Sequence, residues 1–332
     1  MDGGRTTLGD VALAARVSKT TVSHVLSGKR PVSAETRARV EQVIESLGFR
    51  PNYFAQALNT ARTATVALLV DDLANPHYPA LARGLQSVVA PAGNIVVLFD
   101  AAAGAALTSR FLATIRERRV DAIVLAGDVP EDELIRLQAE GVAAVLIAHA
   151  AADVRMDRVT VDDEAIGFDA AARMIAAGHR RVVFVGSDAG KAPGGLRLEG
   201  YRRAMLEAGH APTDVALGGK WTRADAAHAT RELLRAAPAR PTALVCANDL
   251  IAVGALDAAR ALRLAVPADV AIIGVDDIEA AAMVTPALTS IRIPSEQLGR
   301  RAGELLLRRL EDPGAPQVTD VLAHELVERD SI

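Results

Sequence analysis

One cysteine, Cys246, stands in 332 residues, which excludes an internal disulfide framework and any multi-cysteine metal site. Its ordinary role is that of a small buried apolar residue. Apolar runs such as 142–147 are short, far from the roughly 18 residues that a membrane-spanning helix needs. The first ten residues, MDGGRTTLGD, lack a basic segment followed by an apolar core, so no signal peptide is expected and the chain is expected in the cytoplasm. Catalytic signatures are missing too. GSDAGKA (186–192) has three residues where a Walker loop has four, and then Ala192 where it needs Ser or Thr. The acids Asp162, Asp163 and Glu164 have no His at ligand spacing, and they suit the positive end of a helix dipole. There is no GxSxG elbow and no HExxH pair. The expectation is no enzyme, no cofactor, no bound metal and no membrane partner.

What remains is a chain half apolar and about a quarter charged, long enough for a small domain plus a larger two-lobed one. The net charge of −4 is unevenly spread. Residues 1–62 hold nine Lys or Arg against five acids, a net +4, so the remainder carries −8. A basic head on an acidic body suits a protein whose head meets phosphates while the body does something else.

The head reads as short helices. From Thr7, a first helix places Leu8, Val11, Ala12 and Ala15 on one face. After a break at Arg16 and Val17, Ser18 can cap a second helix over 19–26 that buries Val22 and Val25 or Leu26. SGKRPVS reads as a loop. Ser33 then starts a third helix whose apolar stripe is Val40, Val43, Ile44 and Leu47, ended by Gly48. Two helices joined so closely must cross, the arrangement in which the second enters a DNA major groove. On that helix Lys19, Thr20 and His24 face away from the core and can reach base edges. Ser18, Thr21 and Ser23 suit phosphate oxygens, and Thr7 and Ser33 join them as helix-start residues.

From residue 65 the pattern changes. The runs 66–70, 94–99, 121–125 and 143–147, then 181–186, 242–247 and 270–275, are continuous apolar segments separated by helix-length stretches. That is the mark of parallel sheets covered on both faces. The fold class expected is α/β: a small all-α head on a body of two doubly wound parallel-sheet lobes, with a ligand cleft at the carboxyl ends of the strands.

The string TLGDVALAARVSKTTVSHVLSGKRPVSAETRARVEQVIESLGFRPNYFAQAL resembles the N-terminus of the LacI/GalR family of bacterial transcription regulators. The likeness continues through ANPHY (74–78), VDDEAIG (161–167), AAGHRR (176–181), RLEGY (197–201), ANDLIAVGAL (247–256), VAIIGVDD (270–277) and PALTSIRIP (286–294), and so covers nearly the whole chain.

The resemblance implies a helix-turn-helix domain over 1–50, a hinge over 51–63 and a periplasmic-binding-protein-like body over 64–332. Within the body, lobe 1 spans about 64–160 plus 292–325 and lobe 2 about 161–291. It makes Lys19, Thr20 and His24 the base readers. Segment 52–59 becomes a hinge helix on DNA, with Leu58 wedged into the minor groove, Ala55 and Gln56 beside it and Asn52 at phosphate. An effector cleft is implied at Asn75, His77, His149, Arg197, Trp221, Asn248 and Asp276. Taken alone, Asn248 could equally cap a helix, Arg197 pair with an acid and Trp221 simply pack. The implied protein is a homodimeric repressor of a palindromic operator, answering to a sugar, polyol or sugar acid by population shift. Two departures stand out: His24 replaces the family's usual Arg, and Arg16 occupies a turn position that is usually Gly. A periplasmic-type sugar-binding protein and a sugar-acting enzyme are the rival classes; the head argues against the first and the missing nucleophile against the second.

Overall fold

Thr7 starts the head by capping α1 (Leu8–Ala15) reciprocally. Its hydroxyl accepts the Asp10 N–H at 3.3 Å, while the Asp10 carboxylate takes the Thr7 N–H at 2.7 Å. These and all later details come from a computed structural model that describes residues 6–27, 30–49, 63–117, 120–127, 129–147, 154–187, 193–217, 221–236 and 240–332. Arg16 ends α1 in the left-handed region (φ 53°, ψ 47°), and the Val17 N–H returns to the Ala12 carbonyl at 3.0 Å. Ser18 Oγ then accepts the Thr21 N–H at 3.0 Å and starts α2 (Lys19–Ser27). Ser33 caps α3 (Ala34–Ser46) through the Thr36 N–H.

The small core of the head is Val11, Ala12, Ala15, Val22, Val25 and Val40, closed by Phe49. Here the expected stripe needs correcting. Leu47 is 40% exposed, and Phe49 takes the inner place, because Gly48 at φ +56° reverses the chain and brings the Phe49 N–H to the Ile44 carbonyl at 3.0 Å.

Residues 1–63 form one compact unit and residues 64–332 another. In the second, β1 (Thr65–Val70) leads into α4 (His77–Val89), β2 (Ile95–Asp100), a 3-10 turn and α5 (Ala105–Arg116). Then come β3 (Ala122–Ala126), α6 (Glu131–Ala139), β4 (Ala143–Leu146) and β5 (Asp157–Val161). Lobe 2 begins with α7 (Asp163–Ala176), β6 (Val182–Ser187), α8 (Gly194–Glu207), β7 (Asp214–Ala216) and α9 (Arg223–Ala236). It continues through β8 (Ala243–Cys246), α10 (Asp249–Ala261), β9 (Ala271–Asp276), α11 (Glu279–Met283) and β10 (Thr289–Arg292). The chain finishes with α12 (Ser295–Glu311), β11 (Thr319–Leu322) and β12 (Glu325–Val327).

Two six-stranded sheets result, ordered β11-β5-β4-β3-β1-β2 and β12-β10-β9-β8-β6-β7, parallel except where β12 runs against β10. Alternate residues of β1 serve two cores. Val66, Leu68 and Val70 face α4 and α12, while Ala67 and Leu69 face Leu112, Ile115, Leu134 and Leu137 of α5 and α6. Burial on both faces is why these strands read as unbroken apolar runs.

Each lobe also carries a helix pair at backbone contact. A Cβ on Gly84 would lie 2.0 Å from the Glu296 carbonyl oxygen, and one on Gly299 1.9 Å from that of Leu81, which locks α4 on α12. Gly167 and Gly200 do the same for α7 and α8, each 1.9 Å from a carbonyl oxygen of the other helix, those of Arg197 and Glu164. The chain passes between the sheets after β5, after β10 and again after β11. That last passage carries the tail into lobe 2, where the Ile272 N–H donates to the Ser331 carbonyl and the Thr289 N–H to the Ser331 hydroxyl, both at 2.9 Å.

Candidate functional site

Two places concentrate functional chemistry, and α2 is the first. Its buried side is Val22 and Val25; Lys19, Thr20 and Ser23 are exposed, and Thr21 and His24 half-buried. Ser18 and Thr21 bond to each other through their hydroxyls at 2.9 Å, so part of their polarity is spent on starting the helix. Thr7 and Ser33 likewise act as caps in this structure. The Lys19 stem lies across α1, with its Cε 3.2 Å from where a Cβ on Gly9 would stand. Asp10 is held below its ordinary carboxylate value by its two bonds from Thr7, with the Lys19 charge adding to the effect.

The second place is the cleft between the lobes. β9 ends at Asp276, β8 leads to Asn248, and the first turns of α7 and α8 supply Asp163 and Arg197. Because the Gly167–Gly200 contact brings α7 and α8 together, Arg197 Nε meets Asp163 Oδ1 at 2.8 Å, and its Nη1 donates to the Ala247 carbonyl at 2.6 Å. Both partners of that ion pair are about 5% exposed. Asn248 caps α10, its Oδ1 accepting the Ile251 N–H at 2.9 Å.

Lobe 1 answers with Asn75 and His77 at the start of α4. Asn75 Nδ2 donates across the cleft to Asp276 Oδ2 at 3.3 Å, and His77 Nδ1 lies 2.7 Å from the Ser295 hydroxyl. Burial pushes His77 below its ordinary value, so its imidazole is neutral at pH 7. Burial likewise raises Asp276, against the pull of His77, Arg197 and the Asn75 bond. Tyr78, half-buried and donating to Asp71 at 3.1 Å, is raised well above the usual tyrosine value by desolvation and by the Asp71 charge.

The Trp221 ring fills space that only a glycine leaves, since a Cβ on Gly194 would stand 2.5 Å from its Cζ2. Its Nε1 is buried with no hydrogen-bond partner among the described residues. A buried indole N–H normally finds an acceptor.

Sequence and structure comparisons decide the family. Residues 7–52 match the model for bacterial regulatory proteins of the lacI family, and 171–332 match a periplasmic binding protein-like domain. The ribose operon repressor of Escherichia coli (strain K12) is 35% identical over 330 residues, 98% of this chain and 99% of that protein. The chain belongs to the LacI family of bacterial regulatory proteins. Among solved structures, a lac repressor dimer bound to operator and an anti-inducer superposes with a TM-score of 0.86, at 25% identity and 99% coverage of each chain. A CelR–cellobiose complex gives 0.73, at 31% identity over 98% of this chain and 100% of that one.

As a LacI-family member the chain is a sequence-specific DNA-binding transcription regulator, with the α/β architecture that its apolar runs predict. Asn75 bonds to Asp276 across the two lobes, His77 lies beside Ser295, Arg197 bonds to Asp163 and the Ala247 carbonyl, and Trp221 packs on Gly194. Arg197 and Asn248 each do the local work open to them in the sequence, as ion-pair partner and helix cap. His149, Asn52, Ala55, Gln56 and Leu58 lie outside the described residues. Among the described residues, no group of three His, Cys, Asp or Glu is placed to hold a metal ion, and no helix is long and apolar enough to cross a membrane. Sequence reasoning weighed Asp163 only as a helix-start acid and passed over Ser295 and Asp249; the VDDE and ANDL strings held Asp163 and Asp249 in plain sight.

Proposed function

We propose that this LacI-family regulator is a dimeric repressor that senses a neutral sugar of pentose size, reading each operator half-site with Lys19, Thr20 and His24. The carrying observation is the charge of the cleft. Asp163 pairs with Arg197, burial holds His77 below its ordinary value, and Asp276 accepts a hydrogen bond from Asn75 across the cleft. A carboxyl acceptor beside an amide donor suits vicinal hydroxyls on a ring. A phosphate or carboxylate would meet the Asp276 carboxyl, while the nearby Arg197 is already paired with Asp163. The ribose-repressor relative and the cellobiose-bound neighbour support a saccharide. Like the repressor relatives, this chain is read as binding its ligand without turnover, in the cytoplasm where operator DNA lies.

Dimerisation supplies the second half-site reader, since one short helix contacts too few bases to select a site in a genome. The exposed apolar residues Ile95, Val97 and Leu98 on the edge strand β2 suit a second copy of the chain. Effector in the cleft shifts how the lobes meet those of the partner, and through segment 52–59 sets the affinity for operator.

Calorimetric titration with ribose, other neutral pentoses and their 5-phosphates tests the reading. A neutral pentose binds and shifts operator affinity. Asp276→Ala weakens that binding by about 100-fold or more, as expected for a buried charged hydrogen-bond partner, while ligand-free operator binding is kept. Binding confined to the phosphorylated sugars overturns the reading.

A further inference from the structure

We infer that Asp249 is a positioning residue that aims the Asp276 carboxylate into the cleft. Asp249 opens α10 immediately after the capping Asn248, and it is fully buried. Among the described residues no Lys, Arg or His bonds to its carboxylate. Instead Oδ1 accepts the Ser290 hydroxyl at 2.7 Å and Oδ2 accepts the Ile278 N–H at 2.9 Å. A buried carboxylate without a cation is costly, and burial beside Asp276 and Asp277 raises its pKa well above the ordinary value. Such a group persists where it secures something else.

What it secures is the turn that follows β9. Asp276 sits at φ 111° and Asp277 at φ 54°, two successive non-glycine residues in a region that L side chains rarely adopt. Both amides beyond Asp276 end on Asp249. The Ile278 N–H reaches it directly, and the Asp277 N–H reaches Ser290 Oγ at 3.1 Å, whose own proton goes to Asp249. Gly274 clears the space, because a Cβ there would stand 2.0 Å from Asp249 Oδ1. Arg292 and Arg329 grip the Asp277 side chain, at 2.8 and 2.6 Å, but neither holds the amides that set the turn. With both amides tied, the Asp276 carboxylate is directed at Asn75 of the opposite lobe.

This inference rests on the effector reading above, so the test carries one readout that needs no effector. In ligand-free full-length protein, Asp249→Asn speeds amide hydrogen exchange at Asp277 and Ile278 about 100-fold while the β9 amides stay protected. In titrations with ribose, Asp249→Asn weakens binding about 10-fold in the wild-type background and less than twofold in an Asp276→Asn background. Ligand-free operator affinity does not change in the single variant Asp249→Asn. Equal losses in both backgrounds, or unchanged exchange at Asp277 and Ile278, overturn the assignment. Should ribose and its neutral analogues fail to bind the wild type, the effector reading falls and amide exchange alone decides about Asp249. If Asp249→Asn does not fold, Ser290→Ala removes only the relay to the Asp277 amide. It is expected to speed exchange at Asp277 about 10-fold and at Ile278 little; no change at Asp277 overturns the assignment equally.

Discussion

Lys19, Thr20 and Ser23 stand in solvent on α2, whereas Arg197, Asn248 and Asp276 are each less than 8% exposed and all bonded to neighbouring elements. On α2, the side chains proposed to read DNA and those that fold the head occupy different sides of one helix: Val22 and Val25 lie in the core while Lys19, Thr20 and Ser23 are exposed. In the cleft the side chains proposed to bind the ligand also hold the fold. Arg197 ties α8 to α7 and to the end of β8, and Asn248 starts α10. Specificity can therefore change on α2 at little structural cost, while in the cleft a new specificity requires several coordinated replacements.

The sharpest way to break this contrast is Arg197→Leu. It strips the guanidinium from the buried Asp163 carboxylate and is expected to destabilise the body by roughly 3–5 kcal/mol, read by denaturant unfolding. A loss under about 1 kcal/mol would show that the cleft is not structural in this sense. Next comes Leu58→Ala in the hinge. Losing an apolar wedge is expected to weaken specific operator binding about 30-fold and non-specific binding hardly at all, measured by titrating both DNAs at one salt concentration. Equal losses on both would remove the wedge role.

On α2 itself, His24→Arg is expected to shift preference between half-sites about 10-fold toward one with a guanine under that residue, as a bidentate guanidinium pair requires. The melting temperature of the head stays the same, and a large change in it would place His24 in the core rather than at the DNA. The smallest effect is Arg16→Gly. Relieving a left-handed arginine is expected to stabilise the isolated transition of the head by about 1 kcal/mol, with half-site preference kept.

Legibility followed the range of the signal. The caps at Thr7, Ser18 and Ser33 and the stop at Gly48 are set within four residues, and all are present. The seven apolar runs became β1–β4, β6, β8 and β9. The strands that escaped notice are short or edge strands with polar residues, such as DRVTV, DVA, TSIR and TDVL, which carry no continuous apolar run. With them went the third passage of the chain, which returns the tail to lobe 2. Leu47 and Phe49 exchanged places because a stripe drawn at helical spacing does not include the residue that folds back after a glycine.

In the cleft, residue type and motif were enough to nominate Asn75, Arg197, Asn248 and Asp276, because their strings are shared along the chain with a known family. The buried Asp249 carried no such mark: an acid at a helix start is ordinary, and its worth appears only where Ser290 and Ile278 converge on it.

By itself, then, the sequence determined the head, the two-lobed α/β body and membership of the LacI family, since capping, periodicity and motif order are local or serial properties. Only the tertiary structure decided which side chains meet. Asn75 and Asp276 are 201 residues apart and touch because three passages between the sheets bring the carboxyl ends of β1 and β9 face to face. No local pattern encodes that distance.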